Sequence, residues 1–272
     1  MYTKFTKAKE VLFLTNKEVF DLVAEVGVLM LSGSGEIGRS QDTLEALAKG
    51  FGIKDFKCYL LSNGLFLSGM MEDEKVEVRI DEVPVKGTNL YEVENLNRLS
   101  RRVLSEGLTP EEAKKEVDRI KTTSPYSFLF TAMASGIGCA AFCYFFKGTW
   151  ADTFATVPIG ILLWCFYDVL AEVYRQPKII CNLFTSMFLT FCACICCHLG
   201  WADNVDKVII GAIMPLVPGV PFVNSIRNFF SDDYLSGVVR MADALLTALS
   251  VGVGVGVSII IWNTVIGGVA LW

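Results

Sequence analysis

The stretch Gly211–Leu246, GAIMPLVPGVPFVNSIRNFFSDDYLSGVVRMADALL, decides how the rest of the chain is read. It opens as an apolar run and then meets Pro215, Pro218 and Pro221, each of which removes a backbone donor. In a continuing helix the carbonyls of Gly211, Met214 and Val217 lose their partners, and Gly219 loosens the backbone at the same place. Unpaired carbonyls at membrane depth are tolerated only where protein or a hydrated cavity satisfies them. The pattern therefore predicts a broken helix at an internal site.

Past the break, Asn224 and Arg227 are three apart and share a helical face. On the next apolar segment Arg240, Asp243, Thr247, Ser250 and Gly254 fall within an arc of about 80° at 100° per residue, one polar stripe on an otherwise apolar helix. Ionisable side chains in such segments face cavities and pair with one another, which makes Asp243 with Arg240 or Arg227 the natural pair. Asp168 and Glu172, four apart, are further candidates. A plainer reading stands beside this one: Arg227 and Arg240 anchor the headgroup level, and Asp232-Asp233 cap a loop.

Around this stretch the charges divide unevenly. The chain has 272 residues, 53% of them hydrophobic, and residues 1–124 hold 39 of its 53 charged side chains. Residues 125–272 hold 14, too few for a soluble surface, so that part is expected in lipid. Five apolar segments, about Phe128–Phe146, Phe154–Val173, Ile179–Gly200, Val208–Val223 and Val238–Trp262, each approach the roughly 20 residues a bilayer core requires. Arg119, Lys121, Arg175, Lys178, Arg227 and Arg240 fall on one side, against Lys147 and Lys207 on the other, which places the head inside and the C-terminus outside. Trp150, Trp201 and Trp262 fall near the outer ends, where an indole keeps its N–H wet. Ala132/Gly136, Ala134/Gly138 and Gly252/Gly256 are small-xxx-small pairs, usable by a monomeric bundle or by a homo-oligomer.

The charged part, residues 1–124, reads as a small cytosolic α+β domain. Apolar residues from Val19 to Met30 recur at spacings of three and four, an amphipathic helix over about Asn16–Leu31 ended by Gly33 and Gly35. A second helix is expected over Gln41–Lys49, then strands over Phe56–Leu61, Leu65–Met70 and Val76–Ile80, with Asn63-Gly64 forming a type I′ turn. Helices resume over Leu90–Ser105 and after Thr109, Pro110 and Glu112, which read as an N-cap, a first-position proline and a capping-box glutamate.

Several function classes drop out. Formal charges of −3 and −2 on the two parts offer no positive face to nucleic acid. Val11–Leu14 is too short for a signal peptide core, and nine cysteines without such a signal read as reduced thiols, mostly small hydrophobes. Gly33-Ser34-Gly35-Glu36-Ile37-Gly38 matches the dinucleotide fingerprint, but a helix rather than a strand precedes it, so it reads as a helix break. Cys194-Ile195-Cys196-Cys197-His198 matches the c-type haem pattern yet lies inside an apolar helix, and no closed zinc site is spaced around His198. No cofactor is expected. Lys114, Lys115, Arg119 and Lys121 could touch anionic lipid or simply be solvated.

PLVPGVPFVNSIRNFFSDDYLSGVVRMADALL resembles the hallmark of the threonine/serine exporter family: a Pro218-Gly219 break, Asn224 and Arg227 after it, the loop acid Asp232, then Ser236-Gly237 and Arg240 entering the last helix. Here Ser231 precedes Asp232 where the family commonly has glycine. SGSGEIGRSQDTLEALAKGFG and NLYEVENLNRLSRRVLSEGLTPEEAKKEVDRI resemble the family's head, so the likeness covers nearly the whole chain. The resemblance implies an α-helical membrane protein of the bacterial plasma membrane that performs secondary export of threonine, serine or a dicarboxylate such as succinate. It also implies that the chain is the larger half of a split exporter with a small, separately encoded membrane subunit. In that setting a substrate carboxylate pairs with Arg227 or Arg240 and an ammonium sits on the carbonyls freed at Met214 and Val217. The bundle rocks about Pro218-Gly219, and Asp243 or Asp168 carries the coupling proton. The competing expectation is a membrane-anchored sensor or scaffold whose head binds a ligand or protein. An intramembrane enzyme is weaker, because no nucleophile and base stand at a recognisable spacing.

Overall fold

Thr15 begins the first helix with a capping box: its hydroxyl accepts from the Glu18 amide while the Glu18 carboxylate accepts from the Thr15 amide at 2.7 Å. The computed structural model describes residues 14–33, 35–71, 74–84, 88–123 and 126–266. Val11–Phe13, Ser34 of the glycine motif and the Ser124–Pro125 junction lie outside the described residues. The chain divides into two compact units, Met1–Ser124 with Asn224–Val239, and Pro125–Val223 with Arg240–Trp272.

In the first unit, helix α1 (Asn16–Ser32) is buried on most of its circumference, not on one stripe: Phe20, Leu22, Val23, Val26 and Met30 are all enclosed. Gly27 allows this, since a Cβ there would press on Leu44 and Leu65. Helix α2 (Ile37–Gly50) starts four residues earlier than expected, with Glu36 as its N-cap, so the glycine motif is a helix break. Strands β1 (Lys54–Leu61), β2 (Gly64–Met70) and β3 (Val76–Glu82) form an antiparallel sheet in that order. The hairpin between β1 and β2 pairs Leu61 with Gly64, so its loop is Ser62-Asn63. Neither has positive φ, which corrects the expected type I′ turn; Gly64 serves as a strand residue, and the Asn63 carbonyl is tied by the Val83 amide at 2.9 Å. One sheet face packs on the helices through Leu60, Leu65 and Leu67, while Tyr59, Phe66, Val76, Val78 and Ile80 are exposed. Helices α3 (Leu90–Glu106) and α4 (Pro110–Thr122) complete the core with Leu96, Val103, Ala113 and Val117. The box Thr109/Glu112 and the first-position Pro110 stand as the sequence places them.

In the second unit, helices α5 (Phe128–Phe145), α6 (Trp150–Asp168, continued by a π-turn over Val169–Val173) and α7 (Lys178–His198) are each long and apolar enough to cross a membrane. So is α10 (Tyr234–Val265), and a fifth crossing is available if the bent pair of Val205–Leu216 and Gly219–Phe230 counts as one span. Leu129, Phe145, Phe154, Leu249 and Ile260 are exposed on these helices, which water would not tolerate in such number but lipid would. Gly136 is a packing glycine: a Cβ there would stand 2.7 Å from the Val157 carbonyl oxygen of α6, closer than real Cβ atoms come. Gly138, Gly252 and Gly256 meet nothing within 4 Å. Trp150 and Trp201 are exposed, but Trp262 is 5% exposed and its Nε1 has no hydrogen-bond partner among the described residues. The Trp262 ring instead packs edge-on against His198, 6.0 Å between centroids, because it falls on the inward face of α10. All nine cysteines are free thiols, and Cys194–His198 is helical throughout.

Candidate functional site

The proline-rich stretch does split into pieces. Helix α8 (Val205–Ile213) passes into a 3₁₀ turn over Met214–Leu216, and α9 (Gly219–Phe230) leaves at an angle of 58°. The carbonyls expected to be bare are partly claimed, which corrects that expectation. Met214 O accepts from the Val217 amide at 3.1 Å and Val217 O from the Gly219 amide at 2.8 Å. The prolines explain why. Pro218 directly precedes α9 and Pro221 lies in its first turn, where an amide has no intrahelical acceptor anyway, so the chain starts a new helix instead of leaving a gap in an old one.

A polar seam runs along α7 and α10. On α10 the buried positions are Ser236, Gly237, Arg240, Ala244, Thr247, Ser250, Val251, Gly254, Ser258 and Trp262, with Asp243 half-buried, so the stripe read from sequence lies on the inward face. On α7 the buried face carries Asn182, Thr185, Ser186 and Thr190. The two helices run parallel: Lys178 Nζ lies 2.8 Å from Asp243 Oδ2, a Cβ on Gly254 would fall 2.0 Å from Ser186 Oγ, and Ser258 Oγ donates to Met187 O at 3.3 Å. Ser186, Thr190, Ser250 and Ser258 turn their hydroxyls onto carbonyls of their own helices. Among the described residues the buried hydroxyls of Thr185 and Thr247 have no partner. Both lie in sequence between the ion pair at one end and the Gly254–Ser186 approach at the other. A buried hydroxyl without a partner costs on the order of 1–3 kcal/mol, so this part of the seam suits a polar occupant.

The expected pairing of Asp243 with Arg240 or Arg227 is therefore replaced. Asp243 takes Lys178, whereas Arg227 reaches Glu36 at 2.7 Å within the first unit. Arg227 is more than half exposed, which suits a surface ion pair better than an enclosed site. Asn224 and Arg240 have interaction partners of their own, and Arg240 is 9% exposed. Asp232 is an exposed turn residue with φ +60°, and Asp233 is the cap, its carboxylate accepting from the Ser236 amide at 3.3 Å. Gly237 makes room for the Phe229 ring, 2.7 Å from where a Cβ would stand. Among the described residues the buried Ser236 hydroxyl has no partner, nor do Asn228 Nδ2 and Asp233 Oδ2 close to it in sequence. Of the residues named from sequence, Pro218, Gly219, Asp168, Arg240 and Asp243 belong to the second unit, and Asn224, Arg227, Asp232, Ser236 and Gly237 to the first. Asp168 is half-buried at the last α-helical position before the π-turn, a local widening that often marks functional positions.

Sequence reading missed Lys178, Asn182, Thr185 and Thr190, although Lys178, Asn182 and Thr185 recur at the spacings of three and four that drew attention to α10. It also missed Asp152. That carboxylate, fully buried, accepts from the amides of Thr149, Asp203 and Asn204 and from the Asn204 side chain, all within 2.7–2.9 Å, and so ties the α7–α8 loop to the start of α6. The Thr149-x-x-Asp152 capping box was its visible signal.

Residues 21–262 match the family described as "Putative threonine/serine exporter". The chain belongs to this family. It is similar to the "Probable succinate transporter subunit YjjP" of Escherichia coli (strain K12), 22% identical over 251 residues that cover 91% of this chain and 96% of that protein. It is also similar to the "Probable threonine/serine exporter" of Mycobacterium tuberculosis (strain ATCC 25618 / H37Rv), 23% identical over 254 residues, 90% of this chain and 46% of that one. No solved structure matches it. Membership of this transporter family agrees with the apolar helices and makes the chain a helical membrane protein.

Proposed function

We propose that this chain is the larger subunit of a proton-coupled secondary exporter for small hydrophilic metabolites, amino acids of the threonine/serine type or a dicarboxylate such as succinate. It acts in the bacterial plasma membrane with five spans, the head in the cytosol and the C-terminus outside, and needs a second, small membrane subunit. Support for that subunit comes from the Escherichia coli relative, named a transporter subunit, and from the Mycobacterium tuberculosis relative, of which this chain covers less than half.

The observation that carries the reading is the α7–α10 seam, with an ion pair at one end and, farther along the two helices, two buried hydroxyls that have no partner among the described residues. A substrate carboxylate exchanges with Asp243 for the Lys178 ammonium, and the hydroxyls of Thr185 and Thr247 bond its polar groups. Asp243, separated from its cation, takes up the proton that moves inward; when substrate leaves, the proton leaves and the pair reforms. Arg240 on the same face adds positive charge for a second carboxylate, and Asp168 is the other acid available for the proton step. The break at Pro218-Gly219 supplies the joint about which the bundle rocks.

The test is counterflow and pH-driven flux in proteoliposomes holding the full chain with its partner subunit. Asp243→Asn should keep substrate exchange while losing proton-driven accumulation, and Lys178→Met should lose exchange itself. Coupling that survives in Asp243→Asn and exchange that survives in Lys178→Met would remove the seam from the mechanism. Absence of flux in the wild-type pair would favour the sensor or scaffold reading.

A further inference from the structure

The head carries a net charge of −3 over residues 1–124, yet one cleft in it has the opposite sign. The cleft lies between α3 and α4, about 250 Å³ in volume, and three arginines line it, Arg98 and Arg102 from α3 and Arg119 from α4. They meet one acid, Glu116, whose two oxygens lie 3.6 Å from Arg102 and 3.5 Å from Arg119. Arg102 also reaches Glu106 at 3.1 Å, outside this cleft. Arg98 bonds the neutral amide oxygen of Asn95, and among the described residues it pairs with no carboxylate. The adjoining open groove sets Arg102, Arg119 and Lys115 against Glu106, Glu112 and Glu116, so its charges balance. Of these two neighbouring grooves, only the cleft has a positive excess.

We propose that this cleft binds a small dianion, a dicarboxylate or a phosphate, between the guanidiniums of Arg98, Arg102 and Arg119. Guanidinium is the cation suited to such a place. Its planar fork matches two oxygens of a carboxylate or phosphate, and its weak hydration lowers the cost of leaving water. The volume admits a four-carbon diacid or a phosphate group, while Leu99 and Ile120 supply an apolar wall for a carbon chain. Glu116 competes internally, so the bound dianion takes over the arginines that Glu116 bridges. Thr123, which also lines the cleft, precedes the first apolar helix at Phe128 by five residues. Occupation thus fixes the helix pair that leads into the membrane part, and makes the head a sensor of anion level whether or not the transport reading above holds.

Calorimetric titration of the full-length protein in uncharged detergent, at constant ionic strength, tests this with succinate, inorganic phosphate and the monoanion acetate. Saturable binding of a dianion is expected, weaker by about tenfold in Arg98→Gln and in Arg119→Gln, and tighter in Glu116→Gln, where the competitor is neutral. Repeating the titration in nanodiscs with and without anionic lipid separates the sources: a headgroup in the cleft suppresses the soluble dianion in the wild type and not in the arginine variants. The proposal is overturned if the wild type shows no saturable binding of either dianion, or if R98Q/R119Q binds with wild-type affinity.

Discussion

Glu25 shows how one residue's role is settled by what faces it. Burial alone would raise its carboxyl, but hydrogen bonds from Lys114 and Lys121, each 2.6 Å away, and their charges outweigh this and hold it below the ordinary value of 4.5. A depressed folded value means stability that is fully present above the unfolded value and is lost as pH falls through the folded one. The melting temperature of the full chain should therefore drop as pH is lowered below about 4.5. Glu25→Gln should cost about 1 kcal/mol at neutral pH and flatten that part of the profile, both read by thermal unfolding monitored across pH. In the sequence Lys114 and Lys121 were indistinguishable from lipid-facing cations. Their partner lies on α1, 89 and 96 residues earlier, and no local pattern announces it. The same holds for Asp243: its polar stripe was legible, but its partner Lys178 had been counted only as a charge at the inner end of a span.

At the scale of elements, caps and periodicities were read well because they are local. The Thr109/Glu112 box, Pro110 and the extent of α1 need only neighbouring residues. Glycines were harder, since spacing marks Gly252 and Gly256 as the contact pair and sets Gly254 only on the polar stripe. Only the packing separates them: a methyl on Gly254 would lie 2.0 Å from Ser186 Oγ and 2.6 Å from the Leu183 carbonyl, whereas Gly252 meets nothing within 4 Å. Gly254→Ala should accordingly destabilise by about 1–3 kcal/mol by forcing α7 and α10 apart. Gly252→Ala should be neutral or slightly stabilising, as expected of an exposed helical glycine. Thermal unfolding in detergent compares the two, and equal melting temperatures would contradict the close approach. The prolines of the broken span tell a similar story. Their presence fixes where the helix stops, but the turns at Val217 and Gly219 that take up the freed carbonyls depend on a three-dimensional path the sequence does not spell out.

For the whole molecule, the proposed topology has a direct check. A fluorescent protein fused ahead of Asn16 should mature and fluoresce, while alkaline phosphatase fused after Thr264 should be active only if that end is outside. Activity of the second reporter placed in the Arg175–Lys178 turn should be absent. The opposite pattern would invert the membrane orientation and with it the direction assigned to transport. What the chain's residues determined by themselves is the contrast between parts: charge density sets residues 1–124 apart from the apolar helices that follow, capping and spacing mark nearly every element, and three prolines with a glycine break the apolar run that follows Val208. These follow from interactions between residues within a turn or two of one another, or from transfer between water and lipid. Tertiary structure alone decided which ion pairs form, which hydroxyls remain unsatisfied, which glycines are contacts and where arginines converge. Each depends on distances between segments far apart in the chain, and a difference of two or three ångströms separates a bond from an empty approach.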